Sequence, residues 1–365
     1  MLRGIVIGTG FAGEGYVTAL RQADVEVVAL CGRSPEPANA MAARLEIADV
    51  RTDWRSAIDT LSPDVVVVAT PAEPHCEMVE FAAQRGAHLV CEKPLGRTAE
   101  EGRRMLAAVD AAGVKHAYGA TSRFAAGLVR AEELVADGAI GEVRDVELVA
   151  HLGMPPLLPF CWVHSLELGG GMLANGYTHF LAQSQYVTGG AARWASGHID
   201  RVISRVPAGP PLHDFREWQP VDPDRGAGGE WREIDADLAD TVITGLELSD
   251  GREVPALFKI SAFSTARAAG YLAVYGTAGT LHLEGPPWFN QLQLLTTDDG
   301  QWSDIAFPLV EDQIQSGWTR LVMELVADIN GSAQDGYPTF RDGYIANQLI
   351  DQVRAASPAE TTSIV

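Results

Sequence analysis

Apolar residues in the first 118 positions come in unbroken, β-branched runs: Gly4–Gly8, Val25–Cys31, Asp64–Ala69, Ala87–Cys91 and Val114–Tyr118. A strand that is apolar on both faces is covered on both faces, which predicts a parallel sheet. Between the runs the apolar spacing lengthens to a helical one, over Phe11–Gln22, Pro35–Leu45, Pro74–Arg85 and Ala99–Ala112, with Thr98 placed to cap the last. Strand and helix in strict alternation predict a doubly wound α/β domain.

Beyond about residue 122 the rhythm changes. A helical stretch, Ala125–Asp137, stops at Gly138, and Val143–Ala150 alternates apolar with polar, as a strand with one exposed face does. A Pro-rich loop (Met154–Phe160) leads to Gly169-Gly170-Gly171 and a helix through Tyr186. Five or six strand-like segments follow between Arg193 and about Ala306, predicting an open, mostly antiparallel sheet, with Pro207–Gly229 as a surface excursion. Two amphipathic helices, Asp312–Asp328 and Asp342–Ala355, end the chain. The expected division is a dinucleotide-binding domain over 1–122, an α/β domain for substrate and oligomerisation over 123–340, and a helix and tail over 341–365 packing back on the first domain.

Composition narrows the partners. Of 365 residues, 47% are hydrophobic and 21% charged, the balance of a chain that folds. Acidic residues outnumber basic ones 48 to 27, for a net charge of −21. Such a surface repels phosphate backbones and anionic membranes, so neither nucleic acid nor membrane is expected as a partner. An anionic ligand needs a local device, such as backbone N–H groups or a single placed arginine. Cys31, Cys76, Cys91 and Cys161 form no CxxC pair, and three of them sit inside apolar runs, which fits a reducing compartment. The N-terminus lacks a signal-peptide pattern, and no run reaches the roughly 18 apolar residues of a membrane helix, so the expected location is the cytoplasm.

The strongest local signal is Gly8-Thr9-Gly10-Phe11-Ala12-Gly13, after the first strand and opening the first helix. Its glycines permit a tight turn, backbone approach to a pyrophosphate and close helix packing, the fingerprint of a Rossmann dinucleotide site. An acidic residue about 20 positions on would hold the ribose hydroxyl of NAD. The second strand here runs out as Cys31-Gly32-Arg33-Ser34. Arg33 and Ser34 could cradle a 2′-phosphate, which favours NADP; NAD remains open if Glu36 or water serves the ribose. The fourth strand ends in Glu92-Lys93-Pro94, placing a lysine in the crevice where such sheets bind ligands. Partial burial there would bring its pKa toward that of a proton shuttle.

These residues converge on a family. GTGFAG, Ala69-Thr70-Pro71 with His75 four positions on, Glu92-Lys93-Pro94 and GGGMLANGYTH (169–179) together resemble the Gfo/Idh/MocA oxidoreductases, the relatives of glucose–fructose oxidoreductase and inositol dehydrogenase. Arg123-Phe124, the GAIGEV of 138–143 and the YGTAGT of 275–280 extend the resemblance over nearly the whole chain. It implies an NAD(P)-dependent dehydrogenase or reductase that moves a hydride to or from a CH–OH carbon of a sugar, a polyol or a similar small molecule. It also implies a homodimer or homotetramer, and a Lys–Pro peptide that is often cis.

The family's lysine falls on Lys93 and its histidine on His179, both contacting the reacting oxygen. Where the family usually has aspartate, this chain has Asn175, which holds a hydroxyl but cannot ionise. Spacing places Asn175 and His179 on one helix face, with Tyr177 facing elsewhere unless Gly176 distorts the helix. Thr70, Pro71, His75, Glu92 and Lys93 are expected to contact the cofactor, although His75 equally suits a packing role at its helix start. Arg123, Trp162 and His164 are expected on the substrate side, Trp162 with an alternative place in the core. Three histidines (His151, His164, His179) suggest a metal, but neither HExxH nor a cysteine pair supports one, and none is expected. Two other readings stay open: a non-catalytic dinucleotide sensor, kept alive by Asn175, and a glycosidase with tightly bound NAD.

Overall fold

The valine run 65–68 has no exposed side chain, so every residue of that strand meets a covered face. It forms β4 (Val65–Val68) of a parallel sheet with β1 (Arg3–Ile7), β2 (Glu26–Cys31), β3 (Val50–Arg51), β5 (His88–Cys91) and β6 (His116–Tyr118), in the order β3-β2-β1-β4-β5-β6. The order reverses between β1 and β4, which opens a crevice at the carboxyl ends of those strands. The computed structural model describes residues 1–153, 158–209, 216, 230–262, 268–285, 289–298, 300–332 and 336–357.

Helices α1 (Phe11–Gln22), α2 (Pro35–Arg44), α3 (Trp54–Leu61), α4 (His75–Ala83) and α5 (Ala99–Ala112) cover the sheet. Two of these elements had no counterpart in the sequence reading. Strand β3 is two residues long, too short to show a period, and α3 starts at Asp53, whose carboxylate caps the N–H groups of Arg55 and Ser56.

The second sheet joins β7 (Val143–His151), β8 (Ala191–Asp200), β11 (Ala239–Glu247), β12 (Glu253–Ser261), β13 (Ala268–Gly276), β14 (Gly279–Glu284), β15 (Gln291–Thr296) and β16 (Trp302–Asp304). Its order is β16-β15-β14-β13-β7-β12-β11-β8, and only β7 and β12 run parallel. A separate ribbon pairs β9 (Arg205–Pro207) with β10 (Trp231–Glu233). Leu148, Val242 and Phe258 on one face pack with α6 (Ala126–Ala136) and α7 (Thr178–Thr188). The excursion expected at Pro207–Gly229 and most of the Pro-rich loop fall largely outside the described residues.

The boundary in space is not the boundary in sequence. Helix α8 (Gln313–Ile329) lies in the stretch read as second domain, yet packs on α1, with Trp318 edge-on to Phe11 at 5.0 Å. A Cβ at Gly15 would fall 2.0 Å from the Trp318 ring, so only glycine admits that indole. Helix α9 (Phe340–Ala356) ties the two sheets together: the Asn347 amide exchanges hydrogen bonds with the Gly96 backbone, and Gln352 accepts the N–H of Ala195 on β8.

Candidate active site

The turn after β1 is built for close approach. Gly8 has φ of +134°, and a Cβ there would lie 2.2 Å from the carbonyl oxygen of Ala69. Gly13 comes equally close to the Gly8 carbonyl. Gly10 caps α1 without a side-chain bond of its own, and Phe11 and Ala12 begin the helix. At the end of β4, Thr70 Oγ1 is buried with no hydrogen-bond partner among the described residues. A helix start lined by glycines and an orphaned hydroxyl beside the crevice suit a dinucleotide. At the end of β2, Arg33 is exposed, and Ser34 caps α2 without using its hydroxyl.

Lys93 follows β5, and its peptide bond to Pro94 is cis. Its ammonium donates to Asn175 Oδ1 at 3.1 Å. Burial holds the Lys93 pKa below its ordinary value, with the Glu92 carboxylate opposing the shift. Asn175 keeps its amide in place by donating from Nδ2 to the Gly171 carbonyl at 3.0 Å.

The segment bearing Asn175 is a π-turn, Leu173–Tyr177, that runs directly into α7. The distortion falls at Gly176, where a Cβ would strike Ile260 of β12 at 2.4 Å. It lets Tyr177 turn inward, with its hydroxyl 2.8 Å from Thr244 Oγ1, while Asn175 stays beside Lys93. His179 Nδ1 lies 2.9 Å from Ser122 Oγ. Burial first, and then the charge of Lys93, hold the His179 pKa well below its ordinary value, so the ring is neutral.

Two expected pocket residues lie in the interior instead. His75 is 0% exposed and bridges two loops, with Nδ1 3.0 Å from the Leu95 oxygen and Nε2 2.9 Å from the Thr70 oxygen. A ring used up this way packs the two strand ends together and does not line the cleft. His164 is likewise buried: its Nδ1 accepts the Cys161 N–H, and burial pushes its pKa down to about 4. Arg123 stacks on Tyr186 with 4.6 Å between guanidinium and ring, on a side chain mostly withdrawn from water. Trp162 is half-buried in a short 3₁₀ turn, and Pro71 is exposed. Among the described residues no group of three metal-ligating side chains occurs.

Sequence reasoning missed Ser122 and Asp237. Asp237, 3% exposed, accepts the Leu173 N–H at 2.6 Å, while its carbonyl accepts that of Met172, so it holds the start of the π-turn from across the domain. No local pattern marks either residue, because each acts on a segment at least 57 positions away.

Comparison with known proteins agrees with this arrangement. Residues 2–120 match the family described as "Oxidoreductase family, NAD-binding Rossmann fold", and residues 128–282 match the "GFO/IDH/MocA C-terminal domain". A levoglucosan dehydrogenase of Pseudarthrobacter phenanthrenivorans is 32% identical over 43% of this chain and 41% of its own length. A D-glucoside 3-dehydrogenase of Escherichia coli is 30% identical over 60% and 63%. The matched stretches thus span about half the length of these relatives. A levoglucosan dehydrogenase structure in complex with NADH and L-sorbose shares the fold, with a TM-score of 0.83 at 22% identity over 98% of this chain and 97% of that one. Two consecutive domain matches over a shared fold establish that the chain belongs to the Gfo/Idh/MocA family of oxidoreductases.

Proposed function

We propose that the protein is a nicotinamide-dependent oxidoreductase acting on a CH–OH or carbonyl carbon of a sugar, a polyol or a similar small molecule. The observation that carries this reading is the meeting of Lys93, Asn175 and His179 at the carboxyl end of β5, beside the glycine turn. The names of the relatives support the substrate class: both are dehydrogenases of sugar-like compounds.

A bound nicotinamide supplies the hydride acceptor for oxidation and the donor for reduction. The turn of Gly8, Gly10 and Gly13 would hold the pyrophosphate, and the unpartnered Thr70 hydroxyl would be free to bind the cofactor. Lys93, biased toward its neutral form by burial, takes the hydroxyl proton in oxidation and returns it in reduction. Asn175 accepts from the Lys93 amine and so aims it. With the Ser122 hydroxyl donating to Nδ1, the proton of the neutral His179 ring sits on Nε2, where it donates to the substrate oxygen.

NADP is the preferred cofactor in this reading and NAD the alternative. In support, no carboxylate ends β2, Arg33 is exposed and makes no ion pair among the described residues, and the Ser34 hydroxyl makes no cap bond. We further take the protein to be a cytoplasmic homodimer or homotetramer. Its four cysteines are free and buried, and the second sheet exposes Trp194, Ile243 and Trp302. No helix among the described residues is long and apolar enough to cross a membrane. The neutral Asn175 favours one second reading, a dinucleotide sensor without turnover.

Paired titration with NADPH and NADH, followed by quenching of the protein's tryptophan fluorescence, tests the cofactor: tighter NADPH supports Arg33 and Ser34, and binding of neither overturns the oxidoreductase reading. Lys93→Met is expected to lower kcat by about 10²- to 10⁴-fold with nucleotide affinity kept. Retained turnover would remove Lys93 from its role.

A further inference from the structure

Glu92, expected from the sequence to contact the cofactor, instead points away from the cleft, because donors on two helices and the Lys93 backbone take its oxygens. Glu92 is 8% exposed; its Oε1 accepts from the Tyr16 hydroxyl at 2.9 Å and from Trp318 Nε1 at 3.2 Å, and its Oε2 accepts the backbone N–H of Lys93 at 3.0 Å. Gly119 leaves the room, since a Cβ there would lie 2.9 Å from Oε1. All three partners donate, coming from α1, from α8 and from the lysine's own backbone, which is the pattern an anionic carboxylate accepts. On its cleft side Lys93 meets neutral groups, the Asn175 amide and the His179 imidazole. Behind it, burial keeps Tyr16 and Cys91 uncharged and His75 neutral.

We propose that Glu92 is a positioning residue that sets the proton affinity of Lys93 from behind, supplying the negative charge that a carboxylate at position 175 would supply from the front. The inference rests on Lys93 as the proton-exchanging group and adds what tunes it. Burial alone drives a lysine toward the neutral amine, and a carboxylate fixed on the adjacent residue draws the proton back. With Asn175 neutral, Glu92 is the carboxylate among the described residues that counters burial at Lys93. Its oxygens are held by donors on two helices from opposite ends of the chain, so the charge keeps a fixed place.

The chain's lysines are Lys93, Lys115 and Lys259, so competitive labelling with acetic anhydride, read by mass spectrometry, resolves each of them. The pH at half-maximal labelling of Lys93 reports its proton affinity without any substrate, with the other two as internal standards. Glu92→Gln is expected to lower that midpoint by about one pH unit, and Glu92→Asp, which keeps the charge, to leave it within a few tenths. Tyr16→Phe removes one donor, leaves more of the carboxylate charge to act on Lys93, and is expected to raise the midpoint by a few tenths; this arm stands if the Gln variant does not fold. An unchanged midpoint in whichever of Glu92→Gln and Tyr16→Phe folds overturns the proposal. Turnover by Lys93→Met would instead overturn the functional reading and leave the labelling result intact, so the two failures are distinguishable.

Discussion

The two walls of the cleft are held in opposite ways. The wall bearing Lys93 is tied mostly to groups near it in sequence or in the same sheet: Glu92 holds the lysine's own N–H, and His75 bridges Thr70 and Leu95. The wall bearing Asn175 and His179 is a widened helical turn held from outside, by Asp237 at its start, Ser122 at its end and Thr244 beneath. Under it lies Asp240, 3% exposed, with both carboxylate oxygens unpartnered among the described residues. The first wall carries its motif in the sequence even though Tyr16 and Trp318 brace Glu92 from afar, whereas the second depends throughout on contacts that only the fold creates. A motif is readable when the groups that constrain it are its neighbours.

The largest effect is expected on the first wall. Gly8→Ala forces a side chain to within 2.2 Å of the Ala69 carbonyl at a φ of +134°, and should cost on the order of 3 kcal/mol in denaturant unfolding and abolish nucleotide binding. If the variant bound nucleotide with native affinity, that wall would be looser than described.

On the second wall, Asp237→Ala strands the Leu173 N–H and should cost about 1–3 kcal/mol. Because it loosens the helix and not the glycine turn, kcat is expected to fall with nucleotide affinity unchanged. Equal losses in both would mean that the walls are not independent.

Asn175→Asp places a second carboxylate beside Lys93 and should move the rising limb of the oxidation pH profile up by about one unit. A limb that stays in place would show that position 175 does not address the lysine's charge.

The smallest effect concerns Asp240. Burial first, and then Asp237, raise its folded pKa well above the ordinary aspartate value. An acid whose folded pKa exceeds its unfolded one binds more protons when folded, so its contribution to stability is present below the unfolded pKa and is lost as pH rises toward the folded one. Asp240→Asn should therefore raise Tm by a few degrees, and by more at pH 8 than at pH 5. A gain that did not depend on pH would mean that the carboxyl does not titrate in this way.

Much of the site was legible residue by residue. The glycine turn and Glu92-Lys93-Pro94 are contiguous and sit at strand ends, where a parallel sheet forms its crevice. His75 was legible as a motif residue but not in its direction, since nothing local says that its ring reaches two carbonyls across the loops. Asn175 and His179 were readable as a spaced pair and Gly176 as a point of distortion, but the π-turn itself was not, because Gly176 there packs against Ile260 of β12, 84 positions away.

By itself the sequence determined the doubly wound domain and its glycine turn, the position of Lys93 and the absence of a carboxylate at position 175, because apolar period, backbone freedom and side-chain chemistry are local properties. Only the tertiary structure decided that α8 returns to α1, that Glu92 faces Tyr16 and Trp318 rather than the cleft, and that Asp237 holds the helix of His179. Those contacts join residues 64 to 307 positions apart, and a partner so distant leaves no periodic trace in the chain.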